Sequence, residues 1–490
     1  MQQKQATILQ GFEWYLPEDG KHWRRLTEKA SELKKLGFTG VWLPPAYKGA
    51  GGSKEVGYAT YDLYDLGEFD QKGSIATKYG TKEEYLDCVR TLKAAGLQVY
   101  ADIVFDHFIG ADEEETIPAV EYAMNNRNQA LGDEQMIVAW TKFTFPGRKG
   151  KYNDYIWTWR NFSGVDYDHL NQKHGIFNFA NQGWNEEVDD ENGNYDYLMG
   201  CDLNMSMPET VEQLDKWGQW YQKLTDMDGY RLDAVKHIQF NFFNDWVKHR
   251  RQEKESDLFI VGEYWSQELK KLENYIASSG GLISLFDVPL HYRFYEAATS
   301  KDTYDMRQLF TDTLVQSRPD WAITFVDNHD TQKGQSLESW VETWFKIHAY
   351  ATILLRKTGT PMVFWGDLYG IPSHGFAGMG EKLERLIKAR ACCAFGRELE
   401  YFDDPHLVGW TRTGTFDRKK SGLAVVMSNE GSGCKTMAVG ALHAGETFVD
   451  LLDNQQQKVV LDEIGVGTFP VNDKQVSVYV SEAAYQELLK

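Results

Sequence analysis

Four acidic segments stand where short apolar runs end: Asp102-Ile103-Val104-Phe105-Asp106-His107, Arg231-Leu232-Asp233-Ala234-Val235-Lys236-His237, Gly262-Glu263-Tyr264-Trp265 and Val326-Asp327-Asn328-His329-Asp330. Asp233 and Glu263 are separated by about one βα repeat, so neighbouring parallel strands would carry them side by side to one rim. A carboxylate pair of this kind can cleave a glycosidic bond with retention when its carboxyls lie about 5–5.5 Å apart. One attacks the anomeric carbon while the other, kept protonated by its surroundings, gives its proton to the leaving oxygen. Arg231, two residues before Asp233 and on the same strand face by period-two alternation, would hold the nucleophile ionised. His107, His329 and Asp330 would offer donors and an acceptor to the sugar hydroxyls nearest the cut. Each acid taken singly reads as a solvated surface carboxylate. Their joint placement at strand ends, with an arginine in register, points to a retaining glycosidase instead.

Such a site needs a scaffold that delivers strand ends to a common rim. Short β-rich runs at 6–15, 38–44, 97–105, 229–234, 259–265, 284–289, 322–327 and 361–366 alternate with amphipathic helical stretches such as 82–95 and 205–225. Eight parallel strands of this kind predict a closed (β/α)8 TIM barrel, whose active sites form at the C-terminal ends of the strands. Between His107 and Gly229 the rhythm breaks for roughly a hundred residues, far beyond a single crossover. An inserted domain after strand 3 is expected there. It is dense in Asn, Asp, Gly, Tyr and Trp, which predicts an irregular, β-rich and turn-rich module able to hold cations. After residue 396 the helical period gives way to alternating runs between Gly, Asn and Asp turns, predicting a C-terminal antiparallel β-sandwich. The expected division is a catalytic barrel over 1–107 and 205–395, the insertion over 108–204 and the sandwich over 396–490.

The net charge of −20 repels phosphate backbones and anionic lipid, and no long Lys/Arg-rich run offsets it, so neither nucleic acid nor a membrane is expected as a partner. No window approaches 18 consecutive apolar residues. Aromatic residues make up 14% of the chain, which suits a neutral sugar substrate because pyranose rings stack on aromatic planes. The N-terminal residues Met1 to Gln5 lack the apolar core of a signal peptide, so cytoplasmic residence is the expectation. Five cysteines (Cys88, Cys201, Cys392, Cys393, Cys434) without CxxC spacing indicate free, buried thiols rather than a disulfide framework or a zinc site. The chain is expected to act as a monomer.

DIVFDH, GYRLDAVKH, FIVGEYW and FVDNHD resemble, in order, the four signature regions of the α-amylase family of (β/α)8 glycoside hydrolases. GFEWYLPEDGKHW, VWLPPAYKG, VGYATYDLYDLGEFDQKG, ENGNYDYLM and TQKGQSLES extend the likeness to the liquefying-type bacterial members across barrel, insertion and C-terminal module. The resemblance implies endo-hydrolysis of internal α-1,4-glucosidic bonds in starch, glycogen or maltodextrins. It implies Asp233 as nucleophile, Glu263 as acid/base and Asp330 as the acid that binds and distorts the sugar at the cleavage point. Tyr58 would be the platform under that sugar. His107, Arg231 and His329 would contact it, and Lys236, His237 and Trp265 would line the leaving-group side. Transglycosylation or oligosaccharide-specific α-glucosidase action uses the same trio, and a non-catalytic carbohydrate-binding protein should have lost one of its members.

The family also implies a structural Ca²⁺ held by Asp106, Asp196, Asp202 and the backbone carbonyl of His237. Asp106 stands where the family usually has Asn, adding a negative charge. Where secreted relatives place further acids for a metal cluster, this chain has the neutral Ser163, Asn185 and Asn204, so a single calcium is expected.

Overall fold

A computed structural model of the chain describes residues 5–254 and 257–489. Eight parallel strands close into a barrel: β1 (Ile8–Gln10), β2 (Gly40–Trp42), β3 (Gln98–Ile103), β4 (Gly229–Leu232), β5 (Phe259–Gly262), β6 (Ser284–Phe286), β7 (Ala322–Thr324) and β8 (Thr360–Phe364). Each falls on one of the eight expected runs, with β8 beginning one residue ahead of its run, and is shorter than its apolar segment because flanking residues leave the ladder to form the rim. The strands are buried on both faces, hence their near-continuous apolar sequence. In register, Arg231 lies opposite Asp102 on one side and Val261 on the other, and Leu232 lies opposite Gly262. That pairing puts Asp233 and Glu263, each one residue further on, at the same height.

Helices α1 (His22–Leu36), α2 (Lys82–Ala94), α3 (Pro208–Thr225), α4 (Phe242–Glu253), α5 (Leu269–Ser278), α6 (Val288–Ser300), α7 (Thr343–Leu355) and α8 (Gly380–Cys392) surround the barrel. Their sequences carry their own start and stop signals. In α2 the Thr81 side chain and Glu84 close a reciprocal capping box. In α1, Trp23, Leu26, Ala30 and Leu33 recur on one buried stripe, and Gly37, at φ 113°, ends the helix in a backbone conformation a side chain would resist.

The segment after β3 forms a sheet of its own, in the order His107–Phe108, Cys201–Leu203, Phe162–Asp168, Lys173–Phe179, Glu113–Ala123 and Asn126–Ala130, with Gln135–Lys142 also on Glu113–Ala123. The turn-rich composition suggested less regularity than this. Its hairpins are long because Ile117, Ala119, Ile137 and Ala139 alternate inward over one buried face. His107 belongs to this sheet, pairing across from Asp202, so the first strand of the insertion starts within the signature itself.

The C-terminal part contains a six-stranded antiparallel sheet, from Glu398–Tyr401 to Val459–Val460 along its order, and a two-stranded one made by Gly433–Ala438 and Val466–Val471. It ends in a short helix, α9 (Glu482–Leu488), which the sequence pattern did not signal because seven residues are too few to display a helical period. Its start is capped by the Ser481 hydroxyl, which accepts from the Ala484 amide. Of the cysteines, Cys88, Cys201 and Cys393 are buried, Cys392 is half-buried and Cys434 is exposed, so the expectation of buried thiols fails at the last of these.

Candidate active site

Arg231 organises the rim. Fully buried, it sends one nitrogen to Asp102 (2.9 Å) and to Asp233, and another to Glu263 (2.7 Å). One guanidinium therefore ties together carboxylates from three adjacent strand ends. The Glu263 carboxylate also accepts from the Ala234 amide at 3.2 Å. Ala234 itself adopts a left-handed φ of 48°, a strained conformation for a residue with a Cβ, and this turn, directly after Asp233, aims its N–H at Glu263.

Burial pushes the Glu263 carboxyl up to about 8; Arg231 opposes the rise, while the charges of Asp233 and Asp330 add to it. Glu263 is thus protonated at neutral pH. Burial likewise raises Asp330 to about 7, with Arg231 opposing and Asp233 and Asp102 reinforcing. Three carboxyls around one arginine cannot all ionise cheaply, and burial lifts Glu263 well above the ordinary carboxylate range.

Aromatic rings form the opposite wall. Trp14, Tyr58 and His329 are stacked nearly parallel, with Tyr58 and His329 4.8 Å apart and Trp14 6.0 Å from Tyr58. The Tyr58 hydroxyl donates to Asp102 at 2.8 Å. His329 accepts at Nδ1 from the Gln10 amide (3.0 Å), so its proton sits on Nε2 and faces Asp330 at 3.2 Å. Burial and Arg231 keep its pKa well below the ordinary value, in agreement with a neutral ring. His107 is the converse case: Nδ1 meets Asp106 (2.9 Å) and Nε2 meets the Tyr58 carbonyl (2.8 Å). Both nitrogens are thus engaged, one by a carboxyl and one by a carbonyl. Although burial disfavours the charged ring, the hydrogen bond and attraction of Asp106 raise the pKa overall. His107 thereby anchors the Tyr58 backbone.

On the other flank, Lys236 pairs with Glu191 (2.8 Å) and approaches the Trp265 carbonyl at 3.2 Å. His237 donates to the Tyr195 carbonyl at 2.8 Å, and burial lowers its pKa to about 3, so it is neutral. Trp265, half-buried, directs its indole N–H to the Tyr292 hydroxyl at 3.4 Å.

Comparison with known proteins matches residues 18–385 to the α-amylase catalytic domain family and residues 423–480 to the α-amylase C-terminal family. The chain belongs to the α-amylase family. It is 50% identical to the α-amylase of Geobacillus stearothermophilus over 97% of its own length and 87% of that protein. It is 47% identical to the glucan 1,4-α-maltohexaosidase of Bacillus sp. strain 707, covering 97% of this chain and 92% of that one. Identity to the cytoplasmic α-amylase of Escherichia coli strain K12 is 45%, covering 98% and 99%. The α-amylase structure from Anoxybacillus shares the fold, with a TM-score of 0.64 at 19% identity over 98% of this chain and 97% of that one.

In this α-amylase-family chain Asp106, Asp196 and Asp202 are all buried where insertion meets barrel. The Oδ1 atom of Asp106 has no hydrogen-bond partner. Asp196 receives three hydrogen bonds from Asn185, and Ser163 donates to Asp202, so two of the neutral replacements donate to acids. Asn204 instead bonds Gln182 at 2.9 Å. Burial, and then the charges of Asp196 and Asp106, push Asp202 well above the carboxylate range, while burial takes Asp196 to about 7. Among the described residues no three His, Cys, Asp or Glu side chains are gathered as a metal-holding set. The oxygen donors and the unpaired Asp106 oxygen nevertheless fit a hard cation, whose charge would relieve their mutual repulsion.

Sequence reading overlooked Asp102, Trp42, Trp14 and Gln10. Asp102 had a signal in the sequence, as the first acid of the segment that ends β3, and the ladder sets it directly opposite Arg231. Trp42, whose indole donates to Asp102 at 3.0 Å, and Gln10 occupy strand ends on β2 and β1 that carry no acid and so drew no notice.

Proposed function

We propose that this chain is an endo-acting α-amylase that hydrolyses internal α-1,4-glucosidic bonds of starch-like glucans with retention of anomeric configuration. The observation that carries the reading is the single buried Arg231 bridging Asp233 and Glu263, with burial raising the Glu263 carboxyl. In the first step an Asp233 oxygen bonds to the anomeric carbon. The glycosidic C–O bond breaks, and its electron pair, on the leaving oxygen, takes the Glu263 proton. In the second step the Glu263 carboxylate removes a proton from water, whose oxygen attacks the same carbon and releases Asp233. Asp330, with His329, binds and distorts the sugar ring over the Tyr58 and Trp14 platform, while Lys236, His237 and Trp265 face the departing glucan. The names of the relatives from Geobacillus stearothermophilus and Bacillus sp. strain 707 support the α-1,4 bond and chain cleavage.

Asp106, Asp196, Asp202 and the His237 carbonyl would hold one Ca²⁺, which supplies charge neutralisation between insertion and barrel when bound. Cytoplasmic residence is supported by the name of the Escherichia coli relative. No helix among the described residues is long and apolar enough to cross a membrane. Product analysis on soluble starch tests the reading. A spread of linear maltooligosaccharides, with α-anomers released first, supports it, whereas glucose alone or longer transfer products would overturn it.

A further inference from the structure

At the N-terminal end of the barrel, away from the catalytic rim, the ends of α1, α8 and α9 and the turn 415–421 border an open cleft of about 610 Å³. Its lining holds five cationic side chains (Lys35, Lys388, Arg418, Lys419, Lys420) against one carboxylate, Glu487, on a chain whose net charge is −20. Glu487 is already engaged by Lys420. Lys388 reaches only a backbone carbonyl, that of Leu488 at 3.4 Å, and Lys35 and Lys419 have no partner among the described residues. Lys35 complements the C-terminal end of its own helix, and Arg418, Lys419 and Lys420 face the cleft from the turn. They sit on a turn held rigid by Ser421, whose hydroxyl accepts from the Thr415 amide (2.8 Å) and donates to the Arg418 carbonyl (2.6 Å). The Arg418 guanidinium packs over the Phe395 ring, 4.0 Å from its centroid, which presets its direction.

We propose that this cleft is a binding site for a small, multiply charged phosphate compound, bridging the barrel and the C-terminal module. The volume suits a small molecule rather than a polymer. A planar guanidinium beside flexible ammonium groups is a donor set matched to phosphate oxygens. Cys392 lies on the wall of the cleft, its thiol lowered to about 7 by a hydrogen bond from Cys393 against the cost of burial, with smaller contributions from Lys420 and Arg418.

The same thiol reports occupancy. In a Cys434→Ser chain, which removes the exposed competitor, the anionic disulfide 5,5′-dithiobis(2-nitrobenzoate) should modify Cys392. Inorganic pyrophosphate should slow that reaction at least fivefold, while sodium chloride of equal ionic strength does not. Calorimetric titration should show pyrophosphate binding that Lys419→Glu weakens at least tenfold, with starch hydrolysis unchanged as the control for folding. Arg418→Gln should weaken it similarly. Equal slowing by chloride, or unaltered binding in Lys419→Glu, would overturn the proposal. So would binding of citrate or of a duplex oligonucleotide without binding of pyrophosphate.

Discussion

Arg231 contacts Asp102, Asp233 and Glu263 at once, so the ionisation of each carboxyl is set by the others. Glu263 must be protonated to act as an acid, and it loses that proton as the pH rises through about 8. The alkaline limb of kcat/KM should therefore fall above about pH 8, measured on a soluble maltooligosaccharide. Glu263→Gln keeps the shape but has no transferable proton. Its kcat should drop at least about a hundredfold, the usual worth of general acid catalysis, and a smaller loss would assign the acid elsewhere. Tyr58 offers a separable pair of changes. Tyr58→Ala removes the stacking plane and should lower kcat/KM about tenfold, roughly 1.4 kcal/mol. Tyr58→Phe keeps the plane and loses only the hydrogen bond to Asp102, so steady-state kinetics should place it between that variant and the parent.

Among the elements, the end of β7 depends on an interaction across helices. Lys346 of α7, completely buried, pairs with Asp327 and with Asp367 (2.7 Å), and its ammonium lies 3.4 Å from the Trp340 ring centroid. Asp327 in turn receives the Thr331 hydroxyl at 2.7 Å, closing the turn that presents His329 and Asp330. Lys346→Met leaves two buried acids without their counter-charge. Removing one partner of a buried pair costs about 3–5 kcal/mol, so thermal unfolding should move down by several degrees or more. KM should rise with it, because the loop carrying Asp330 loosens. The strand itself was legible in the apolar run ending at Asp327. Lys346 was not, since a lysine inside an apolar helix gives no sign of which acids it will meet.

Over the whole molecule, the insertion and the barrel meet at three buried acids that no arginine or lysine neutralises in the described structure; His107 alone pairs with one of them. With one bound Ca²⁺ expected, chelation should lower the melting temperature, and calcium titration should restore it with a stoichiometry near one. Two or more tight sites would contradict the reduced set of ligands. Asp106→Asn should weaken calcium binding, since it removes one charge from the donor set.

By itself the sequence determined the eight-stranded barrel, because near-continuous apolar runs separated by amphipathic helices have few other ways to bury both faces of a sheet. It also placed the acids at strand ends, because the ladder carries neighbouring strand ends to one rim. What only the tertiary structure decided depends on groups far apart in the chain. The raised pKa of Glu263 comes from burial beside Asp233 and Asp330, against the pull of Arg231. The raised pKa of His107 comes from its contact with Asp106, against the cost of burial. The cationic cleft exists because residues from 35 to 420 converge on one place, where no run along the chain is basic enough to announce it. Burial and Coulomb energy depend on distance in space, and only the folded chain sets those distances.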